Sequence, residues 1–111
     1  ECPLDKDELG HHSWNLLHTM SVYYPDKPSD EEKKNATTFI NTFAKMYPCD
    51  VCAKDLQKDL IDIPPQVGSR DEFAAWMCLL HNRVNDKIGK SIFDCSKVME
   101  RWKDGWKDGS C

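Results

Sequence analysis

Six cysteines, at positions 2, 49, 52, 78, 95 and 111, are spread over a chain of 111 residues. A domain this short buries roughly two-thirds of its extended-chain surface, enough for one core with little margin, so covalent cross-links weigh heavily on what it can become. The even count points to disulfides and an oxidising compartment. One pair, Cys49-Asp50-Val51-Cys52, has the two-residue spacing shared by dithiol redox motifs and zinc knuckles, and those are the two chemistries to separate. The count alone leaves the pairing of the others open.

Between the cysteines the pattern is helical. Asp5 or Asp7 can cap a first helix, which carries Leu9, Leu16, Leu17 and Met20 as one buried stripe and stops near Pro25. Ser29 and Glu32 stand three apart, the spacing at which each side chain satisfies the other residue's free backbone amide, and they open a second helix. Phe39, Ile40, Phe43 and Met46 give that helix its apolar face, and Pro48 ends it because the ring has no N–H and restricts Tyr47. A third helix begins at the Cys49 pair, runs through Ala53, Leu56 and Leu60, and closes at Pro64-Pro65 and Gly68. Ser69 and Glu72 repeat the capping box for a fourth, with Phe73, Trp76, Met77, Leu80, Val84 and Ile88 at helical spacing. Gly89 suits the left-handed position beyond its end. Ser96 to Trp102 has room for one or two further turns, and no segment alternates at period two. The expectation is an all-α fold, a four-helix bundle with a short fifth helix, built as one domain over residues 1–111.

Charge and hydropathy remove several classes of function. Fifteen Lys and Arg against 19 Asp and Glu give a formal charge of −4, and no basic block is present to neutralise nucleic-acid phosphates. The longest apolar run, Phe73 to Leu80, is far shorter than the ~18 residues a membrane-spanning helix needs. The acidic start, Glu1-Cys2-Pro3-Leu4-Asp5, lacks the basic and apolar segments of a secretory signal, so any address label is expected to have been removed or to lie outside this sequence.

At the start of a helix, free amides and the positive end of the macrodipole stabilise an anion, which favours a reactive thiolate at Cys49. Cys52, one turn further in, is expected to be more shielded and to resolve a mixed disulfide formed at Cys49. The bland alternative is a local structural disulfide. A second alternative is zinc: Cys49, Cys52, Cys78 and His81 make four ligands, the last two at i, i+3 on one helix. Competing with it, a Cys78 to Cys95 disulfide would tie the fourth helix to the fifth and contribute about 3 kcal/mol in the loop-entropy model. Cys2 and Cys111 sit at opposite ends and can meet within one chain or between two.

A dithiol passing electrons to oxygen or a carrier needs a redox group that amino acids do not supply, a flavin or its equivalent. His11, Trp14 and His18 fall at i, i+3 and i+7 on the first helix, while His81, Asn82 and Asn85 cluster on the fourth. Trp and His can stack on a planar ring, Asn can bond its edges, and Lys87, Lys90 and Arg101 can neutralise a diphosphate. The ordinary structural readings are a Trp packed in the core, His side chains that are simply hydrogen-bonded, and Lys87 and Lys90 as solvated charges near a helix C-terminus. There is no glycine-rich phosphate loop of the Rossmann kind.

Four motifs occur in order: Leu9-Gly10-His11-His12-Ser13-Trp14-Asn15-Leu16-Leu17-His18, Tyr47-Pro48-Cys49-Asp50-Val51-Cys52, His81-Asn82-Arg83-Val84-Asn85 and Phe93-Asp94-Cys95. Together they resemble the ERV/ALR family of FAD-dependent sulfhydryl oxidases, over essentially the whole chain. The resemblance implies FAD enclosed by the four helices of a homodimeric protein, with Cys52 next to the flavin and Cys49 attacked by thiol partners. It implies a structural Cys78–Cys95 disulfide and head-to-tail Cys2–Cys111 bonds across the dimer. Positions similar to the family's FAD-contacting ones are Gly10, Trp14, His18, Tyr47, Cys78, His81, Asn82, Asn85, Lys87, Lys90, Arg101 and Trp102, with no metal.

The implied reaction makes disulfides in small dithiols or in thiol-bearing proteins of the mitochondrial intermembrane-space import pathway. Its electrons go to oxygen, giving hydrogen peroxide, or to cytochrome c. The implied location is that space, or the cytosol or the exterior for a short form. Full-length members carry a further shuttle cysteine pair, and none precedes Cys2 here, so a short form or trimmed core is expected. Two readings from other classes stand beside this one: a zinc-stabilised interaction module, and an extracellular growth-promoting factor, which these residues do not test.

Overall fold

The computed structural model describes residues 1–111 and is all-helical. Four α-helices follow in order: α1 (Lys6–Val22), α2 (Asp30–Met46), α3 (Asp50–Asp62) and α4 (Arg70–Lys87). A short fifth helical stretch begins as a 3-10 turn (Cys95–Lys97) and ends as a π turn (Glu100–Asp104). No helix is long and apolar enough to cross a membrane.

The helix starts follow the capping chemistry. Asp5 caps α1 in a reciprocal box with Glu8, and Ser29 caps α2 in the same way with Glu32. At α4 only half of the expected box forms: Ser69 accepts the Glu72 amide, while the Glu72 carboxylate turns back over Gly68. Cys49 itself caps α3, its sulfur accepting the amide of Cys52. Gly89 has φ +75° just past α4, the left-handed conformation that favours glycine.

Two apolar clusters hold the bundle. Leu17, Tyr24, Ile40, Ala44, Leu60, Phe73, Trp76, Met77 and Leu80 form the larger, at the meeting of all four helices. Val22, Ala74, Cys78 and Val98 form the smaller, under the fifth helix, with Phe93, Met99 and Trp102 against it. The Cys78–Cys95 disulfide lies at this second cluster and ties α4 to the fifth helix. The α1 stripe differs from expectation. Leu16 and Met20 are exposed, and the buried face is Leu17, His18, Ser21 and Val22. The two outward residues lie toward the opposite side of the helix from the centre of that face, and the helix buries two polar side chains in preference to two apolar ones. On α2, likewise, Ile40 and Ala44 are buried while Phe39 and Met46 reach solvent.

Candidate functional site

The bundle encloses a cavity of about 990 Å³, at the upper end of the range for small-molecule sites. The α1 wall is Gly10, His11, Trp14 and His18, the α4 wall is Cys78, His81, Asn82 and Asn85, and Tyr47, Lys90, Arg101 and Trp102 complete it. Every residue expected to hold a cofactor lines this cavity except Lys87. That lysine is drawn aside by charge: its Nζ lies 2.5 Å from Asp59 and 3.0 Å from Asp55, both on α3. Burial lowers the ammonium's pKa, but hydrogen bonds to Asp59 and then Asp55 outweigh it and hold the group above the usual lysine value.

Four aromatic rings line one side. Trp14 and His81 stack with centroids 4.1 Å apart and planes within 8°, and His18 stacks on Trp102 at 4.6 Å and 6°. His18 Nε2 and His81 Nδ1 join the two stacks at 2.8 Å. Burial, reinforced by His81 and Arg101, pushes the His18 pKa down to about 3. Burial and then Lys90 push that of His81 down to about 4. Both rings are therefore neutral near pH 7. His18 Nδ1 is buried and has no partner in the protein, so the wall carries a polar atom that a bound molecule can satisfy. At Gly10 an added Cβ would meet only the Tyr47 hydroxyl, at 3.9 Å.

Asn82 lines the cavity but has its own work. Its Nδ2 donates to the Phe93 carbonyl at 2.9 Å, and its Oδ1 accepts the Phe93 amide at 2.9 Å. Asn82 thus clips the segment after α4 to the cavity rim, and Asn85 Nδ2 leans on the same Oδ1 at 3.4 Å.

Cys49 and Cys52 are disulfide-bonded. The expected contrast in shielding does not appear, because both residues are half-buried. Their difference is one of direction: Cys52 lines the cavity and Cys49 does not. The pair therefore bridges the cavity wall and the outer surface. The alternative zinc set loses its sulfurs, since Cys49 and Cys52 bond each other and Cys78 bonds Cys95. Cys2 and Cys111 are exposed and unpaired within the chain.

Sequence reasoning did not find Asp59, which is 1% exposed and receives Arg83 as well as Lys87. Its signal was the seven-residue spacing from Cys52, which puts both on one face of α3. Lys54 and Lys58 of α3 also line the cavity unannounced, adding positive charge to its wall.

Comparison with known proteins gives a consistent result. Residues 11–103 match the Erv1 / Alr family. The chain is 46% identical over 106 residues to the mitochondrial FAD-linked sulfhydryl oxidase ERV1 of Saccharomyces cerevisiae, covering 96% of this chain and 56% of that one. It is 40% identical over 100 residues to the FAD-linked sulfhydryl oxidase ERV1 of Arabidopsis thaliana, covering 90% and 52%. The chain thus spans about half the length of these curated relatives. The crystal structure of the yeast Erv1 core superposes with a TM-score of 0.94, at 46% identity, covering 96% of this chain and 91% of that one. The FAD binding domain of Erv1 from Saccharomyces cerevisiae gives 0.90, with 95% and 100% covered.

Proposed function

This chain is a member of the Erv1 / Alr family, and on that premise we propose that it is an FAD-dependent sulfhydryl oxidase, converting dithiols into disulfides through Cys49 and Cys52. The observation that carries the reading is the placement of the pair across the wall of the large cavity, with Cys52 on its inner side. The residues present fit FAD. Trp14, His18, His81 and Trp102 supply flat apolar and polar ring surface, His18 Nδ1 supplies an unsatisfied polar atom, and Lys90 and Arg101 supply charge for a diphosphate. When bound, the flavin supplies an acceptor of two electrons that can be reoxidised by oxygen or by a one-electron carrier.

The chain's own part is thiol–disulfide exchange. A substrate thiolate attacks Cys49 Sγ, which caps the start of α3, the Cys49–Cys52 bond breaks, and Cys52 leaves as a thiolate on the cavity side. The substrate's second thiolate then displaces Cys49. The substrate leaves as a disulfide, and both protein sulfurs are left reduced. The disulfide re-forms as two electrons leave from the Cys52 side. His18 and His81, neutral and locked by their mutual hydrogen bond, keep the wall polar without adding charge.

A homodimer fits the same reading: Met20 of α1 and Phe39 of α2 are exposed beside a groove of about 320 Å³ that a second protomer can cover. The exposure of Cys2 and Cys111, both unpaired within the chain, supports a head-to-tail link between two chains. The mitochondrial name of the yeast relative supports a mitochondrial location, and the intermembrane space is the compartment we assign within it. Thiol-bearing proteins there are the proposed substrates, with oxygen or cytochrome c as acceptor. The test is a Cys49→Ser variant: it should keep its flavin and lose dithiol turnover, and undiminished turnover would contradict the assignment.

A further inference from the structure

Asp59 is the one carboxylate in the buried interior, and nothing in the exchange chemistry above uses it. Its Oδ1 receives Arg83 Nε at 2.9 Å and Lys87 Nζ at 2.5 Å, both from α4, while its buried Oδ2 has no partner. Outward from this centre Arg83 reaches Asp62 at 2.6 Å and Lys87 reaches Asp55 at 3.0 Å. Exposed pairs of that kind contribute little. The buried centre is different, because an enclosed carboxylate is tolerated only while both cations stay converged on it, so its geometry leaves little slack.

That centre is mechanically linked to the redox pair. Cys52 and Asp59 lie seven residues apart on α3, two turns and roughly 10 Å along one helix face. Asp55, between them, both lines the cavity and holds Lys87. The helix that receives the cations, α4, carries His81 and Asn85 on the opposite cavity wall. Any sliding or rotation of α3 on α4 therefore moves the Cys52 sulfur relative to that wall.

We propose that Asp59, through its joint grip on Arg83 and Lys87, is a positioning residue that sets the placement of α3, and hence of Cys52, over the cavity. The inference rests on the oxidase reading and adds to it a residue far from the sulfurs. It also explains why Lys87 is withheld from the cavity.

The test compares the purified full chain with Asp59→Asn, Asp59→Leu and Asp59→Glu variants. Three quantities are read: the thermal midpoint, the visible circular dichroism of the bound flavin, and the anaerobic single-turnover rate at which dithiothreitol bleaches it. The expected result is retained flavin, altered dichroism and a rate slowed roughly ten- to a hundredfold in the Asn variant, with most of the rate recovered in the Glu variant. Should Asp59→Asn fail to fold, Asp59→Leu removes the charge without leaving a buried amide and is read in the same way. A lowered midpoint with wild-type dichroism and rate would make Asp59 merely structural and overturn the proposal alone. A wild-type protein isolated without flavin would overturn the oxidase reading and this inference with it.

Discussion

The Nε2 of His18 and the Nδ1 of His81 lie 2.8 Å apart, although 63 residues separate them in sequence. Two ring nitrogens at that distance share a single proton, so one imidazole donates and the other accepts. A second proton would set two N–H groups against each other. Burial is the main reason both pKa values fall, with His81 and Arg101 adding to it at His18, which drops to about 3, and Lys90 adding to it at His81, which drops to about 4.

Stability should therefore depend on acid in a defined window. The folded pKa values lie below the unfolded value of about 6.5, so stability is fully present above that pH, where both states are neutral. It is lost as pH falls from about 6.5 toward 4, because the unfolded chain takes up protons that the fold refuses, at up to about 1.4 kcal/mol per pH unit per histidine. Urea unfolding across this window checks the slope, and a His81→Asn variant should flatten it. Equal slopes in the two proteins would contradict the shared-proton account.

Asn82 should matter more for order than for ligand contact. Its amide makes two hydrogen bonds to the backbone of Phe93, and Asn82→Ala leaves both backbone groups unpaired, at a cost of about 2–3 kcal/mol. Amide hydrogen exchange at Phe93 should rise sharply in that variant, and protection equal to wild type would show that the clip is dispensable.

Much of this architecture is legible in the residues. The acidic cap at the start of α1, the Ser29 box, Pro48 and Gly89 mark helix ends because each acts through its own local backbone. Helical spacing groups His11, Trp14 and His18 on one helix and His81, Asn82 and Asn85 on another as candidate walls of a site. What could not be read depends on tertiary choice. Leu16 and Met20 look as buried as Leu17 until the neighbours of α1 are known, and the partner that takes Lys87 becomes visible only when α3 is laid on α4. A lone Asp between Leu56 and Leu60 reads as surface charge, yet Asp59 is the buried centre of that contact.

The proposed head-to-tail link is checked on denaturing gels. Without reductant the protein should run at twice the 12.8 kDa of the chain, and reductant should collapse it to one. A single-chain band under both conditions would remove Cys2 and Cys111 from the interface, though a packed dimer can persist without them.

The most direct test of the central claim is the visible absorption spectrum of the untreated protein, recorded before and after anaerobic addition of a small dithiol. The protein should be yellow, with flavin bands that bleach in the wild type and persist in a Cys52→Ser variant. A colourless protein, or flavin bands that bleach equally fast without the Cys52 sulfur, would contradict the account.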